Sequence, residues 1–389
     1  MRVLLWVLFC LTIRVLQAQN LPPKQAYPYR VKQIHSGHSL TDPLFYPHWP
    51  GQYVNLISNV TGIVSWQIMN SIGKSTVPGS TIKYRWDNRI STGEPDARHN
   101  IENWEVLSIT ERVPLTVEGG SNQSWYLARI QEQKTFLSKF VEQAWRFGDG
   151  GRGAAVLLWT TWTNIDDSDG PFRAMLDIQG KEWEAMQDYA NENRPSGAQP
   201  VYIIPGHRMM ARIYDDIEKG IVPGITNIKQ LFSDNIHTNE LGAYAIAMIH
   251  YACIYNKSPI GLPNQLIPNP PANTPIPTPE FAGYVQQMVW DVVTSYPRTG
   301  IQQSSTRCVE IMPTFNIQQY DNQVYIEGID NDVVQIDIYD ILGTLKYRSM
   351  LHHDSFINLE FLPNGLYAIQ TNGMNRQVKN TVLIQIVGK

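Results

Sequence analysis

A chain of 389 residues has room for a sizeable buried core, and 43% hydrophobic with 17% charged residues describes a globular protein, not a disordered one. A formal net charge of -4, without any run of lysine and arginine, argues against nucleic acid or an anionic membrane as the main partner. Both select for basic surfaces.

Residues 1–18 read as a secretory signal. Arg2 supplies the positive charge, Val3 to Ile13 form the apolar stretch, and Gln17-Ala18-Gln19 offers cleavage after Ala18. Arg14 interrupts the apolar run, which is too short for a good membrane-spanning helix. Cys10 would leave with the signal. Cys253 and Cys308 would then be bridged in an oxidising compartment, or remain as two buried thiols. Asn59-Val60-Thr61 and Asn122-Gln123-Ser124 fit the glycosylation sequon.

Residues 19–296 read as one α/β domain. Val31 to Ile34 is a probable strand, and Val106 to Ile109, Ala154 to Trp159 and Val201 to Ile204 read as buried strands. Leu127, Ile130, Leu137, Val141 and Ala144 keep helical spacing, and Glu240 to Tyr255 forms another helix. The proline-rich stretch 259–279 must be extended and reads as a strap across this domain. A helix over Glu280 to Val293 follows, with Phe281, Val285, Met288 and Val292 on one face. Strands alternating with helices imply a parallel sheet flanked by helices, with its chemistry on loops at the carboxyl ends of strands. Residues 297–308 suit a linker. From 309 to 389, Val334, Ile336 and Ile338 alternate with polar residues between turn signals, which predicts a small antiparallel β-sandwich tail. Beyond Trp6, every tryptophan lies between Trp49 and Trp290, so the two modules have different surfaces.

Two motifs can carry chemistry. Ser36-Gly37-His38-Ser39-Leu40-Thr41 follows the first strand, and Gly37 allows the tight turn that would expose a serine hydroxyl. Thr41 stands where a Gly-x-Ser-x-Gly elbow would have its second glycine. Ser233-Asp234-Asn235-Ile236-His237 precedes the helix at Glu240, and the Asp-x-x-His spacing brings the carboxylate to one ring nitrogen. The plain alternative makes Asp234 the helix cap and His237 incidental. His35, His38, Asp42 and His48 form a second grouping, whose spacing fits no closed zinc motif. His207 reads as a core or loop histidine that could line the same cleft. Trp86, Trp104, Trp159 and Trp162 fall near strand ends or loops, where aromatic faces can stack on sugar rings.

Together the two motifs resemble the SGNH/GDSL family of serine esterases and lipases. The resemblance spans roughly Tyr29 to Tyr296 and includes Leu241-Gly242-Ala243-Tyr244, His250-Tyr251-Ala252 and Ser258-Pro259-Ile260-Gly261-Leu262-Pro263. It implies an SGNH-like α/β fold with Ser39 as nucleophile, His237 as base and Asp234 as its partner, and it requires no cofactor or metal. The family's oxyanion hole combines the nucleophile's own N–H with a Gly and an Asn. Pro78-Gly79-Ser80 matches the glycine block, with Gly73 second, but no Gly-x-Asn-Asp follows Ser108-Ile109. Thr110 or Asn164 is left to substitute. His38, Trp86 and Trp162 are expected to contact substrate.

The tail resembles the C-terminal sorting domain of the type IX secretion system of Bacteroidetes. The matching blocks are Val334 to Leu342-Gly343, Pro363-Asn364-Gly365-Leu366-Tyr367 and Lys379-Asn380-Thr381-Val382-Leu383-Ile384. The resemblance implies that the secretion machinery recognises the tail and that the protein is released or attached to the outer cell surface. The resulting expectation is a secreted esterase acting on small acyl esters, such as acetyl groups on an extracellular polysaccharide. Its rivals are a non-catalytic glycan binder that keeps the fold, and a metal-dependent hydrolase using His35, His38 and Asp42.

Overall fold

Five short strands make one parallel sheet: β1 (Gln33–Gly37), β2 (Ile72–Thr76), β3 (Val106–Ile109), β4 (Ala155–Thr160) and β5 (Tyr202–Pro205), in the order β2-β1-β3-β4-β5. The computed structural model describes residues 21–28, 31–41, 72–90, 95–117, 120, 123–267, 270, 272–302, 316–320, 322–327, 334–373 and 379–386. The expected signal, Asp42, His48, Asn59, Asn122 and Cys308 lie outside the described residues.

Every residue of β3, β4 and β5 is buried, as strands covered on both faces must be. Side chains alternate between two cores. Val106, Leu157, Tyr202 and Ile204 join one, and Leu107, Leu158 and Ile203 join the other. The first core is closed by α4 (Gly206–Glu218), α5 (Glu240–Tyr255) and α6 (Pro279–Ser295). The second is closed by α1 (Ile82–Asp87), α2 (Ser124–Gly151) and much of α3 (Phe172–Glu192).

Helix α5 is buried along its whole length from Gly242 to Tyr255, an apolar rod with no solvent stripe. Asn239 caps its start by accepting from Leu241 and Gly242 N–H, and Asn256 ends it in the left-handed region. Asp234 is therefore not the cap. Phe281, Val285, Met288 and Val292 of α6 are buried as their spacing predicts. Leu127 of α2 is instead exposed, because Tyr126, Gln133, Phe136 and Phe140 carry the buried face together with Ile130, Leu137 and Val141. Residues 297–301, expected to begin a linker, pack against the sheet region. Arg298 pairs with Asp188 at 2.6 Å, Gly300 O accepts from Lys24 N–H, and Ile301 is buried.

The tail forms antiparallel sheets. One contains β6 (Asn316–Tyr320), β7 (Gln323–Glu327) and β10 (Ser355–Asn358). The other contains β8 (Val334–Asp340), β9 (Leu345–Leu351), β11 (Gly365–Gly373) and β12 (Lys379–Ile386). Val324, Ile326, Val334, Ile336, Ile338, Ile369 and Ile384 form their shared core, so the period-two pattern is realised. Asp354 of the tail, nearly buried, pairs with Lys257 just beyond α5 at 2.5 Å. Cys253 is a buried free thiol. Among the described residues, no helix is long and apolar enough to cross a membrane.

Candidate active site

The sheet order changes direction between β1 and β3, and ligands of open α/β sheets bind outside the carboxyl ends of strands at such a point. The chain leaves β1 there through Gly37. A Cβ at Gly37 would stand 2.3 Å from Thr41 Oγ1 and 3.0 Å from Thr110 Cγ2, so only glycine fits. The strand runs three residues further than Val31 to Ile34 predicts, and Ser36 and Gly37 lie within it.

Ser39 opens a short 3-10 turn, Ser39–Thr41. The carbonyl of His38 accepts from Thr41 N–H at 2.8 Å and from its hydroxyl at 2.7 Å, and Leu40 is buried as the anchor. Ser39 itself is half-buried. His38 is not a substrate contact, because its ring is buried. Nε2–H donates to Glu111 O at 2.9 Å, and Leu40 N–H faces Nδ1 at 3.4 Å. Burial, reinforced by the Arg85 charge and more weakly by His237, lowers its pKa to about 3, so it stays neutral. His38 is thus a brace between the serine turn and the end of β3.

Asp234 and His237 meet in the loop before α5. Asp234 Oδ1 accepts from Ile236 and His237 N–H at 2.8 and 2.7 Å, and Oδ2 accepts from His237 Nδ1–H at 2.7 Å. That bond fixes the tautomer and leaves Nε2 as the basic nitrogen. Burial works to raise the Asp234 pKa, but the two N–H groups and the imidazole outweigh it and hold the carboxylate below its usual range. The loop is closed by Ser233 N–H on His237 O at 2.8 Å. From outside it is held by Trp162 Nε1–H on Ile236 O at 2.9 Å and Ile165 N–H on Asn235 O at 2.8 Å.

The three residues expected at an oxyanion hole part company. Gly79 stands exposed, with φ +68, at the corner of the turn Val77–Ser80, which suits a type II turn with Pro78 before it. The turn is pinned to the end of β1, because Gly37 O accepts from Val77 N–H at 3.1 Å and from the Ser80 hydroxyl at 3.4 Å. Thr110 N–H is spent on Ser36 O at 3.1 Å. Asn164 gives both its backbone and side-chain N–H to Asp169, at 3.1 and 2.7 Å. Gly73 lies inside β2, where Trp104 occupies the space a Cβ would take.

Three of the four tryptophans near strand ends serve the core, and Trp86 is partly buried against it. Trp162 is fully buried between Trp159 and Phe232, with Trp104 and Trp159 also buried, and a covered ring cannot receive a ligand. Trp86 packs edge-on against Phe140 at 5.0 Å and under the Arg98 guanidinium at 4.6 Å. His35 and His38 each have a partner within the protein. The His35 Nε2–H donates to Gln33 Oε1 at 3.0 Å and its ring approaches His250. His207 is a buried histidine on Thr160.

One residue without a sequence signal stands out. Arg85, fully buried on α1, sends Nε–H to Ser36 Oγ at 3.1 Å, Nη1 to Ser80 O and Oγ at 3.1 and 3.0 Å, and Nη2 to Thr110 O. Glu111, also buried, accepts from Ile82 N–H at 3.0 Å and Arg112 N–H at 2.6 Å.

No protein-family model matches the sequence, and no curated protein matches it. Parts of the chain are similar to solved structures. One is an immunoglobulin-like β-sandwich protein of the DUF3244 family from Bacteroides vulgatus, at 16% identity over 21% of this chain and 93% of that one, TM-score 0.18. Another is PorZ, a surface component of the type IX secretion system of Porphyromonas gingivalis, at 13% identity over 23% and 13%, TM-score 0.18. A gut microbial diltiazem-metabolizing enzyme is 15% identical over 60% of this chain and 48% of its own, TM-score 0.38. Likenesses of this size assign neither a family nor an activity.

Proposed function

We propose that the protein is an exported serine esterase of the SGNH type. The observation that carries the reading is the Asp234–His237 pair, built into a braced loop, with the Ser39 turn at the carboxyl end of β1 in its support. Ser39 Oγ attacks an acyl carbonyl while His237 Nε2 takes its proton, and Asp234 orients and stabilises the imidazolium. The oxyanion is met by backbone N–H groups of Ser39 and Gly79. His237 returns the proton to the departing alcohol. Water, activated by the same nitrogen, then releases the acid and restores Ser39. Small acyl esters are the substrate class, acetyl groups on an extracellular polysaccharide among them. In this reading the tail, 309–389, is the address recognised by the type IX secretion machinery, and the protein ends outside the cell or on its surface.

The test is labelling of the purified full chain with a fluorophosphonate probe, located by mass spectrometry, beside turnover of acetyl and longer acyl esters. The expected result is an adduct on Ser39 that is lost in His237→Ala, with turnover abolished in Ser39→Ala and His237→Ala while both remain folded. Turnover retained in either variant overturns the triad. Glycan binding without turnover, unchanged by Ser39→Ala, would replace it with a binding function.

A further inference from the structure

A buried arginine normally faces a carboxylate, because an uncompensated charge in the interior is costly. Arg85 does not. Its bonds go to a hydroxyl on β1, to the carbonyl and hydroxyl of Ser80 at the end of the glycine turn, and to the carbonyl of Thr110 just past β3. The nearby Glu111 carboxylate is turned to the N–H groups of Ile82 and Arg112. Three chain segments that share no direct sequence contact are therefore tied to one rigid, planar group. Burial pulls the Arg85 pKa down to about 10, which leaves it charged at neutral pH.

The tie reaches the nucleophile through few bonds. Ser80, held by Arg85, donates to Gly37 O, and Val77 at the other end of the same turn donates there too. Gly37 is followed directly by His38 and Ser39. The Ser36 hydroxyl, also on Arg85, sits one residue before Gly37, and the Ser36 carbonyl receives Thr110 N–H. Where an asparagine amide is expected past β3, Thr110 and Glu111 stand instead, with their polar groups spent inside the protein.

We infer that Arg85 is a positioning residue for the Ser39 reaction, locking the ends of β1, the glycine turn and β3 so that backbone N–H groups around Ser39 and Gly79 stay aimed at the oxyanion. The inference rests on the esterase reading. Arg85 touches no reacting atom. Its effect is on the geometry of donors, and a displacement of about 1 Å at such a site costs on the order of a hundredfold in rate.

The experiment is steady-state kinetics of the full chain on the ester turned over by the wild type, comparing Arg85→Met, Arg85→Lys and the double variant Ser36→Ala/Ser80→Ala. The expected result is a kcat about a hundredfold lower in Arg85→Met with KM within about twofold, and partial recovery in Arg85→Lys, which keeps the charge and reaches some of the acceptors. The double variant removes two hydroxyl acceptors and leaves the guanidinium, so it reports even where Arg85→Met does not fold, and its kcat is expected to fall about tenfold. An unchanged kcat in the double variant, or in folded Arg85→Met, overturns the inference while leaving the triad intact. A wild type whose Ser39 neither labels nor turns over an ester overturns the esterase reading and this inference with it.

Discussion

Acidification should weaken the α/β region through its buried histidines. Four histidines are buried and held neutral by desolvation: His38 and His207 with pKa about 3, His250 about 4, and His35 well below the usual value. In the unfolded chain each regains an ordinary value of about 6.5. Between the two values the unfolded state binds more protons, so stability falls as pH falls. From pH 7.5 to 5.5 each histidine contributes a loss of about 1.4 kcal/mol, and the four together about 5.5 kcal/mol. Glu111, whose pKa is raised by burial, works in the opposite sense and offsets part of this. Asp234, with its lowered pKa, matters only at more acidic pH. The total is comparable with the whole stability of an ordinary domain, about 5–15 kcal/mol. The assay is urea unfolding followed by tryptophan fluorescence, which reports the α/β region because the tail has no tryptophan. The midpoint should drop steeply between pH 7.5 and 5.5, and His207→Gln should reduce the slope. A midpoint that is flat across this window refutes the reasoning.

Asp234→Asn keeps the shape of the loop but no longer fixes the His237 tautomer or stabilises the imidazolium. Ester turnover should fall by about 10³- to 10⁴-fold with an unchanged melting profile, as stopped or continuous ester assays would show. Gly37→Ala places a methyl against the Thr41 hydroxyl and the Thr110 methyl. It should cost about 1–3 kcal/mol in denaturant unfolding and lower kcat more than it raises KM, because the displaced element is the serine turn. Wild-type stability in that variant would show that the turn has room to give.

The elements most legible in the sequence are those whose boundaries have local chemistry. Helix α5 occupies Glu240 to Tyr255 as read, because Asn239 and Asn256 bound an uninterrupted apolar run. The tail's alternating Val334, Ile336 and Ile338 are equally plain. The end of β1 was harder to read, since His35, Ser36 and Gly37 are polar or small and yet buried where the central strand approaches the candidate site. Tryptophan misleads for a related reason. At strand ends a large ring covers the sheet as readily as it meets a ligand, and Trp162 does the former while its N–H braces the Asp234 loop. Arg85 has no sequence signature at all. A helix of six residues has too little period to mark a buried face, and the acceptors that define the role of Arg85 come from Ser36, Ser80 and Thr110.

The sheet order gives the two halves of the candidate site to opposite ends of the α/β stretch. Ser39 follows the first strand, and Asp234 and His237 follow the last. A ribosome releases the serine early and the base late. On the proposed mechanism, the Ser39 hydroxyl is an ordinary alcohol with no base beside it until β5 has added to the sheet and α5 has docked. On that mechanism, nascent and truncated chains that stop before His237 are inert, and reactivity arrives in a single step with completion of the fold.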